Sequence, residues 1–375
     1  MESKAVVLYA DRLPMKGIVQ PGPHELYQNP RIAVETRPLG DLDPDDIRVE
    51  MIYAGICGTD VHLVETNPNT GYIRCSAPAD IPETGRVLGH EGVGKVIATG
   101  SHVHNVKSGA LVAFESIIVC HHCNECRSGR FNQCRNARLL GLERDGLFGT
   151  MVDVPALLAH DIAQYVLTDQ DLKGMACLEP AGVAFVACQN GQVSEGDVVV
   201  VFGAGPIGLF SAMMARDIFG ASQVHTVEPI PFRRKLAEKW CNQTYDVEDF
   251  LNNCPKSVDV IIEASGRLDN VTRIFRRVNA NGRIVLLARS GGSLEIRDVD
   301  HMISNAVTLT GSRGHLGGAF ETILSLCRNG RLSLHEFVTE VVRGPEGLAD
   351  ILGSPERILQ ENCKVLASFQ DLLNH

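Results

Sequence analysis

Apolar positions follow two different rhythms along the chain. Up to about residue 170 they form short β-branched or apolar runs at 5–9, 47–54, 92–98 and 110–114, each closed by Gly, Pro or Asp, and each predicts a strand. Residues 11–45 carry several prolines and little periodicity, which predicts a long irregular segment. From about residue 178 the texture changes. Apolar runs at 198–202, 224–227, 258–263 and 283–288 predict buried strands, and helical stretches at 207–219, 231–240 and 268–278 alternate with them. That alternation implies a parallel sheet of βαβ units. A helix over 318–327 and a short strand-rich tail complete the prediction. The fold class expected is α/β, a β-rich part plus a doubly wound parallel sheet.

Length and charge narrow the functions. A chain of 375 residues suggests two domains. With 35 basic and 45 acidic residues the formal charge is −10, which argues against nucleic acid and anionic membrane as partners. The uncharged stretch 198–215 has the length of a membrane span, but three glycines and a proline interrupt it, so it reads as strand, turn and helix. The N-terminal residues lack the pattern of a secretory signal, and a cytoplasmic location is expected. Of twelve cysteines, Cys120, Cys123, Cys126 and Cys134 cluster, which points to a metal rather than to disulfides.

Two kinds of chemistry stand out. Gly203-Ala204-Gly205-Pro206-Ile207-Gly208 is G-x-G-x-x-G between an apolar strand and a helix, and Glu228 follows twenty residues after Gly208. The first glycine permits the turn, the second the approach of a pyrophosphate and the third close strand–helix packing, while the acid can accept from the adenosine ribose hydroxyls. A carboxylate there favours NAD over NADP, although Arg233 and Arg234 could soften its repulsion of a 2′-phosphate. The four cysteines, spaced x2, x2 and x7, suit one tetrahedral structural zinc. An iron–sulfur cluster is the competing reading, but the last interval is long for it and no proline follows Cys134. A second, dispersed set comprises Cys57, His90, Glu91 and Glu179, within G-I-C-G-T-D-V-H, G-H-E-G and L-E-P. Thiolate, imidazole and carboxylate form a plausible three-ligand zinc set with one open position.

Taken in order, G-I-C-G-T-D-x-H, G-H-E-G-x-G, the four-cysteine lobe, E-P and V-x-G-A-G-P-I-G resemble the zinc-containing medium-chain alcohol dehydrogenases over nearly the whole chain. Glutamate in E-P and Gly58 after the metal cysteine are similar to the polyol and threonine dehydrogenase branch. The resemblance implies a split GroES-like catalytic domain, residues 1–178 and 318–375, with the structural zinc lobe at 118–136, and an inserted Rossmann domain at 179–317. It implies two zinc ions per chain. Cys57 and His90 would hold the catalytic one, with Glu91 and Glu179 as the nearby carboxylates in an order left open, and Asp60 would accept from the far ring nitrogen of His90.

The implied reaction moves hydride from a secondary alcohol to NAD, with the cation acidifying the hydroxyl and the proton leaving through Thr59, the cofactor ribose and His62. The expected substrate is a polyol, sugar, cyclitol or amino-sugar-like alcohol. A threonine-type amino alcohol and a non-catalytic nucleotide-binding role are the alternatives. A homo-oligomer is implied, a tetramer before a dimer. Residues 11–30, the stretch Phe148-Gly149-Thr150-Met151, Arg289 and Arg313 depart from the common pattern and bear on the substrate.

Overall fold

A computed structural model describes residues 1–370 and divides into two compact units. The first comprises Met1–Glu179, Leu332–Leu359 and the stretch from Lys364; the second comprises Pro180–Arg331 and Gln360–Cys363. Residues 371–375, the end of the expected catalytic segment, lie outside the described residues.

The first unit is built on β-sheets. Its strands are β1 (Glu2–Arg12), β2 (Tyr27–Pro38), β3 (Asp46–Gly55), β4 (Arg86–Val87), β5 (Glu91–Thr99), β6 (Leu111–Phe114), β7 (Ile117–Ile118), β8 (Arg138–Leu139), β9 (Met151–Pro155) and β10 (Ala159–Asp161). The helices α1 (Gly58–Val64), α2 (Asn124–Arg127) and α3 (Asp169–Met175) lie among them in sequence, and α4 (Leu178–Asn190) carries the chain out of the unit. Antiparallel pairing of β3 with β5 sets Gly55 opposite Glu91. Val6, Leu8, Ile47, Val49, Met51, Phe114 and Phe148 belong to one buried core.

Residues 13–26 and 39–45 are irregular as expected apart from one short turn of helix, but the middle of the segment is a long strand. β2 pairs antiparallel with β1 along its whole length, Val34 opposite Val6 and Ile32 opposite Leu8. β2 is an edge strand, where Pro30 and Pro38 cost no ladder hydrogen bond to a further neighbour, and this is why proline content misleads there.

The second unit is a six-stranded parallel sheet of β11 (Val198–Phe202), β12 (Gln223–Val227), β13 (Gln243–Tyr245), β14 (Val258–Glu263), β15 (Val278–Leu286) and β16 (Thr308–Gly311), in the order β13-β12-β11-β14-β15-β16. Here β11 is central, and its continuous V-V-V-V-F reflects burial on both faces. The helices are α5 (Pro206–Asp217), α6 (Pro231–Ala237), α7 (Val247–Asn253), α8 (Asp269–Ile274), α9 (Val299–Ser304) and α10 (Ala319–Arg328).

This unit extends to Arg331 rather than ending at 317. The reason is packing: Phe320 in α10 is fully buried, its ring lies 5.1 Å from that of His315, and both close over Gly182, where a methyl group would sit 2.7 Å from His315 Cβ. The tail is also less strand-rich than expected. Besides β17 (Val338–Arg343) and β18 (Lys364–Ser368) it forms α11 (Gly344–Leu352), which buries Leu348, Ile351 and Leu352 on one face, and a short helix at Pro355–Glu361. β18 pairs antiparallel with β3 and parallel with β17, which forms the edge of the first unit's larger sheet.

Candidate metal and cofactor sites

The dispersed donors converge because two strand ends and a helix start meet. Cys57 precedes α1 with extended backbone, and its N–H donates to Asp60 Oδ2 at 2.9 Å. Glu91 opens β5 and His90 precedes it. The donor atoms of Cys57, His90 and Glu91 all lie within 4.8 Å of one another. Two ligands on a tetrahedral zinc, each about 2.0–2.3 Å from the ion, stand at that kind of separation.

The surroundings fit a cation as well. His90 Nδ1 and Asp60 Oδ1 are buried without a hydrogen-bond partner and stand 3.8 Å apart, too far for the expected Asp60–His90 hydrogen bond. Burial pushes the Cys57 thiol up to about 11, with help from Asp60 and against Lys364. Burial also raises Asp60, against the influence of His90. A cluster whose anionic forms are this poorly solvated is suited to a positive ion.

Each carboxylate already has a partner. Glu91, 1% exposed, pairs through Oε2 with the ammonium of Lys364, which is fully buried and also donates to Ile56 O at 2.8 Å. Burial lowers Lys364 to about 8, against the opposing pull of Cys57 and Asp60. The pair leaves no room on the neighbouring strand: a methyl group at Gly55 would lie 2.8 Å from Lys364 Cε and 2.9 Å from Glu91 Oε2. Glu179, in the first turn of α4, accepts from Ser116 Oγ at 2.8 Å, and it stands outside the group of three close donors. Thr59 and His62 share α1 three residues apart, so they lie on one helix face. Thr59 Oγ1 is 3.7 Å from Cys57 Sγ. Burial, together with Arg74, holds the His62 ring below the ordinary imidazole range.

The four-cysteine lobe is a separate cluster. All four sulfurs lie within 4.8 Å of one another, with Cys134 Sγ 3.6 Å from that of Cys120 and 3.9 Å from that of Cys123. The Cys120 thiol is lowered to about 5, chiefly by the His122 backbone N–H, while burial raises Cys126 to about 12. His122 spends its Nδ1 on Cys120 O at 2.6 Å, and the His121 ring meets Phe131 edge-on, so neither imidazole joins the sulfurs.

In the second unit, Gly203 to Gly205 form the turn between β11 and α5, and Gly208 lies in the first turn of the helix, as the sequence predicts. Gly203 has φ +93°, and a methyl group at Gly208 would fall 1.9 Å from Gly203 O, so helix and turn touch at that point. Glu228 follows β12 and is buried; its Oε2 accepts from Ala204 N at 2.7 Å and its Oε1 from Ile230 N at 2.9 Å. Arg233 is buried, with Nε donating to Asn362 O at 2.9 Å, whereas Arg234 Nη1 donates to the Glu228 carbonyl at 2.6 Å.

Comparison with known proteins settles the family. Residues 43–164 match the alcohol dehydrogenase GroES-like domain and residues 206–329 match the zinc-binding dehydrogenase domain. L-threonine 3-dehydrogenase of Pyrococcus abyssi is 30% identical over 311 residues, covering 80% of this chain and 85% of the relative. The chain belongs to the zinc-containing medium-chain alcohol dehydrogenases, in the polyol and threonine branch. A probable D-xylulose reductase A from Arthroderma otae is 31% identical over 329 residues, covering 83% and 88% of the two chains. A structure described as a short-chain alcohol dehydrogenase from Escherichia coli CFT073, complexed with NADH, superposes with a TM-score of 0.80 at 24% identity over 98% of this chain and 99% of that one, which shows the shared fold. This dehydrogenase is therefore an oxidoreductase that works with zinc and a nicotinamide cofactor on alcohol substrates.

Sequence reasoning passes over two side chains beside the dehydrogenase's mixed donor cluster. Ser116 gives no signal, being one serine in a loop. Lys364 does give one, since it is the lone charge at the head of the apolar run K-V-L-A-S. A lysine in a strand buried on both faces requires an acidic partner.

Proposed function

We propose that the protein oxidises a secondary hydroxyl of a polyol, sugar or related cyclitol with NAD, using one catalytic and one structural zinc per chain. The observation that carries this reading is the convergence of Cys57, His90 and Glu91 within 4.8 Å, beside a second buried carboxylate on Glu179. Cys57 and His90 hold the catalytic ion together with one of the two glutamates, and Cys120, Cys123, Cys126 and Cys134 hold the structural ion. Bound there, zinc supplies the Lewis acidity that makes a substrate hydroxyl easier to deprotonate. Thr59 would take up that proton and relay it by way of the cofactor ribose to His62, whose lowered pKa keeps the ring neutral near neutral pH, with a lone pair free to accept. The glycine turn receives the cofactor pyrophosphate, and Glu228 orients the adenosine ribose. The first unit thus carries the chemistry and the second the cofactor.

NAD is favoured over NADP because the buried Glu228 carboxylate repels a 2′-phosphate, while Arg233 is committed to Asn362 O. Glu228→Ala is expected to raise relative activity with NADP; an unchanged NAD/NADP ratio in steady-state kinetics rejects that role. The substrate is tested by a panel of polyols, sugars, cyclitols and amino alcohols read by NADH absorbance. Kinship to threonine dehydrogenases makes an amino alcohol the second reading, and the panel separates the two. A homo-oligomer, a tetramer by family analogy, is tested by light scattering. A reducing, cytoplasmic setting is supported by the seven cysteines outside the two donor clusters, none of which is in a disulfide.

A further inference from the structure

Glu263 ends β14 with its side chain fully buried, and no basic group pairs with it among the described residues. A buried carboxylate without a counter-ion persists only where hydrogen bonds replace its hydration. Here every partner comes from the next few residues. Oε1 accepts from Ser265 N at 3.0 Å and from Ser265 Oγ, and Oε2 accepts from Gly266 N at 3.2 Å. Ser265 Oγ in turn accepts from Arg267 N at 3.1 Å. The main-chain carbonyl of Glu263 accepts from Leu287 N and Ala288 N, and Ala264 N donates to Phe202 O. The side chain of Glu263 therefore fastens the loop that follows β14, and main-chain bonds of Glu263 and Ala264 tie the start of that loop to the ends of β15 and β11. The fastening is tight, since a methyl group on Gly203 would lie 3.1 Å from Ala264 O and from Ser265 Cα.

The location gives this clamp a use. Strand order reverses between β11 and β14, and in open parallel sheets a dinucleotide crosses the crevice outside the strand ends at that reversal. Glu228, at the end of β12, marks the side of β11 that takes the adenosine half. The other half must then extend over β14, where the loop 264–267 forms the wall. We propose that Glu263 is a positioning residue for the nicotinamide half of the cofactor, acting through the loop it holds. This inference rests on the dinucleotide reading above.

The experiment compares the full-length protein with Glu263→Gln and Glu263→Ala. NADH binding is followed by nicotinamide fluorescence, AMP binding by calorimetry, and thermal melting confirms that each variant is folded. Expected are a rise of roughly tenfold in the NADH Kd for the alanine variant, a smaller rise for glutamine, which keeps one acceptor oxygen, and AMP affinity within about twofold of the parent in both. Equal weakening of AMP and NADH, or unchanged NADH affinity, overturns the positioning role while leaving the dehydrogenase reading intact. Should alanine prevent folding, the glutamine variant decides by the same split. Failure of the unaltered protein to bind NADH overturns the dinucleotide reading itself and this inference with it.

Discussion

The two donor clusters of the first unit differ in almost every physical respect. The four-cysteine lobe draws its donors from fifteen consecutive residues, all of one chemical kind, with no carboxylate or ammonium among them. The mixed cluster draws on residues 57, 90, 91 and 179, with Ser116 and Lys364 as partners, so its closest neighbours in space are up to 273 positions apart in the chain. In the lobe the sulfurs are held by one another and by local groups, chiefly backbone N–H groups of the same loop. In the mixed cluster each carboxylate already has an alternative partner, Glu91 a buried ammonium and Glu179 a hydroxyl. A closed set of identical ligands suits a permanent structural ion, whereas a set whose members are held back by other groups leaves a coordination position for exchange.

The largest expected effect breaks the lobe alone. Cys134→Ser is predicted to lower zinc content by one ion per chain and the melting temperature by roughly 10 °C or more, because structural zinc binding is folding free energy. Unchanged melting by calorimetry would contradict the structural role. Next, Cys57→Ser should also lose one zinc but keep its melting temperature near that of the parent, while kcat/KM falls on the order of a thousandfold, equivalent to several kcal/mol of transition-state stabilisation. If the two serine variants behaved alike, the contrast between the clusters would collapse.

The Lys364–Glu91 pair sharpens the contrast further. Lys364→Met leaves a buried carboxylate without its cation and is expected to cost about 3–5 kcal/mol, with much of the loss restored in the Lys364→Met/Glu91→Gln double variant. A loss that the double variant does not restore, in urea unfolding, argues that packing rather than charge is at stake. Thr59→Ala should slow alcohol oxidation by about a hundredfold with zinc content unchanged, and wild-type turnover in that variant removes the proton path. The smallest effect is one of pH. Burial and Arg74 lower the pKa of His62, so the neutral, proton-accepting form persists as pH falls past the ordinary imidazole value, and the acid limb of kcat should lie below about 6.5. His62→Asn should abolish that limb, and an identical profile in the variant excludes His62 from the path.

Legibility in the sequence followed locality. The parallel sheet was readable because each βαβ unit is contiguous and its buried strands are continuous apolar runs, β11 above all. The cysteine lobe was readable from spacing alone. The strand β2 was not, because its two prolines are tolerated only at a sheet edge, and edge position is a property of the assembled sheet rather than of the segment. For the mixed cluster, Cys57, His90, Glu91 and Glu179 came together in sequence only through family motifs, since no spacing rule links them. Lys364 escaped notice because its meaning depends on the antiparallel pairing of β18 with β3, which brings it beside Ile56 and Glu91. The same holds for Gly55, whose missing side chain makes room for a lysine from the other end of the chain.

The position of Lys364 at the head of the final strand bears on how the protein matures. A polypeptide still emerging from the ribosome can present Cys57, His90 and Glu91 long before β18 has been made, and until then Glu91 has no ammonium to answer it. Domains tend to fold as their residues appear, but the Glu91–Lys364 pair forms only once β18 has been made. The lobe, complete by residue 134, is free of that delay. The lobe therefore has its full set of neighbours far earlier in synthesis than the mixed cluster, whose Glu91 changes from an unpaired to a paired carboxylate when β18 docks on β3.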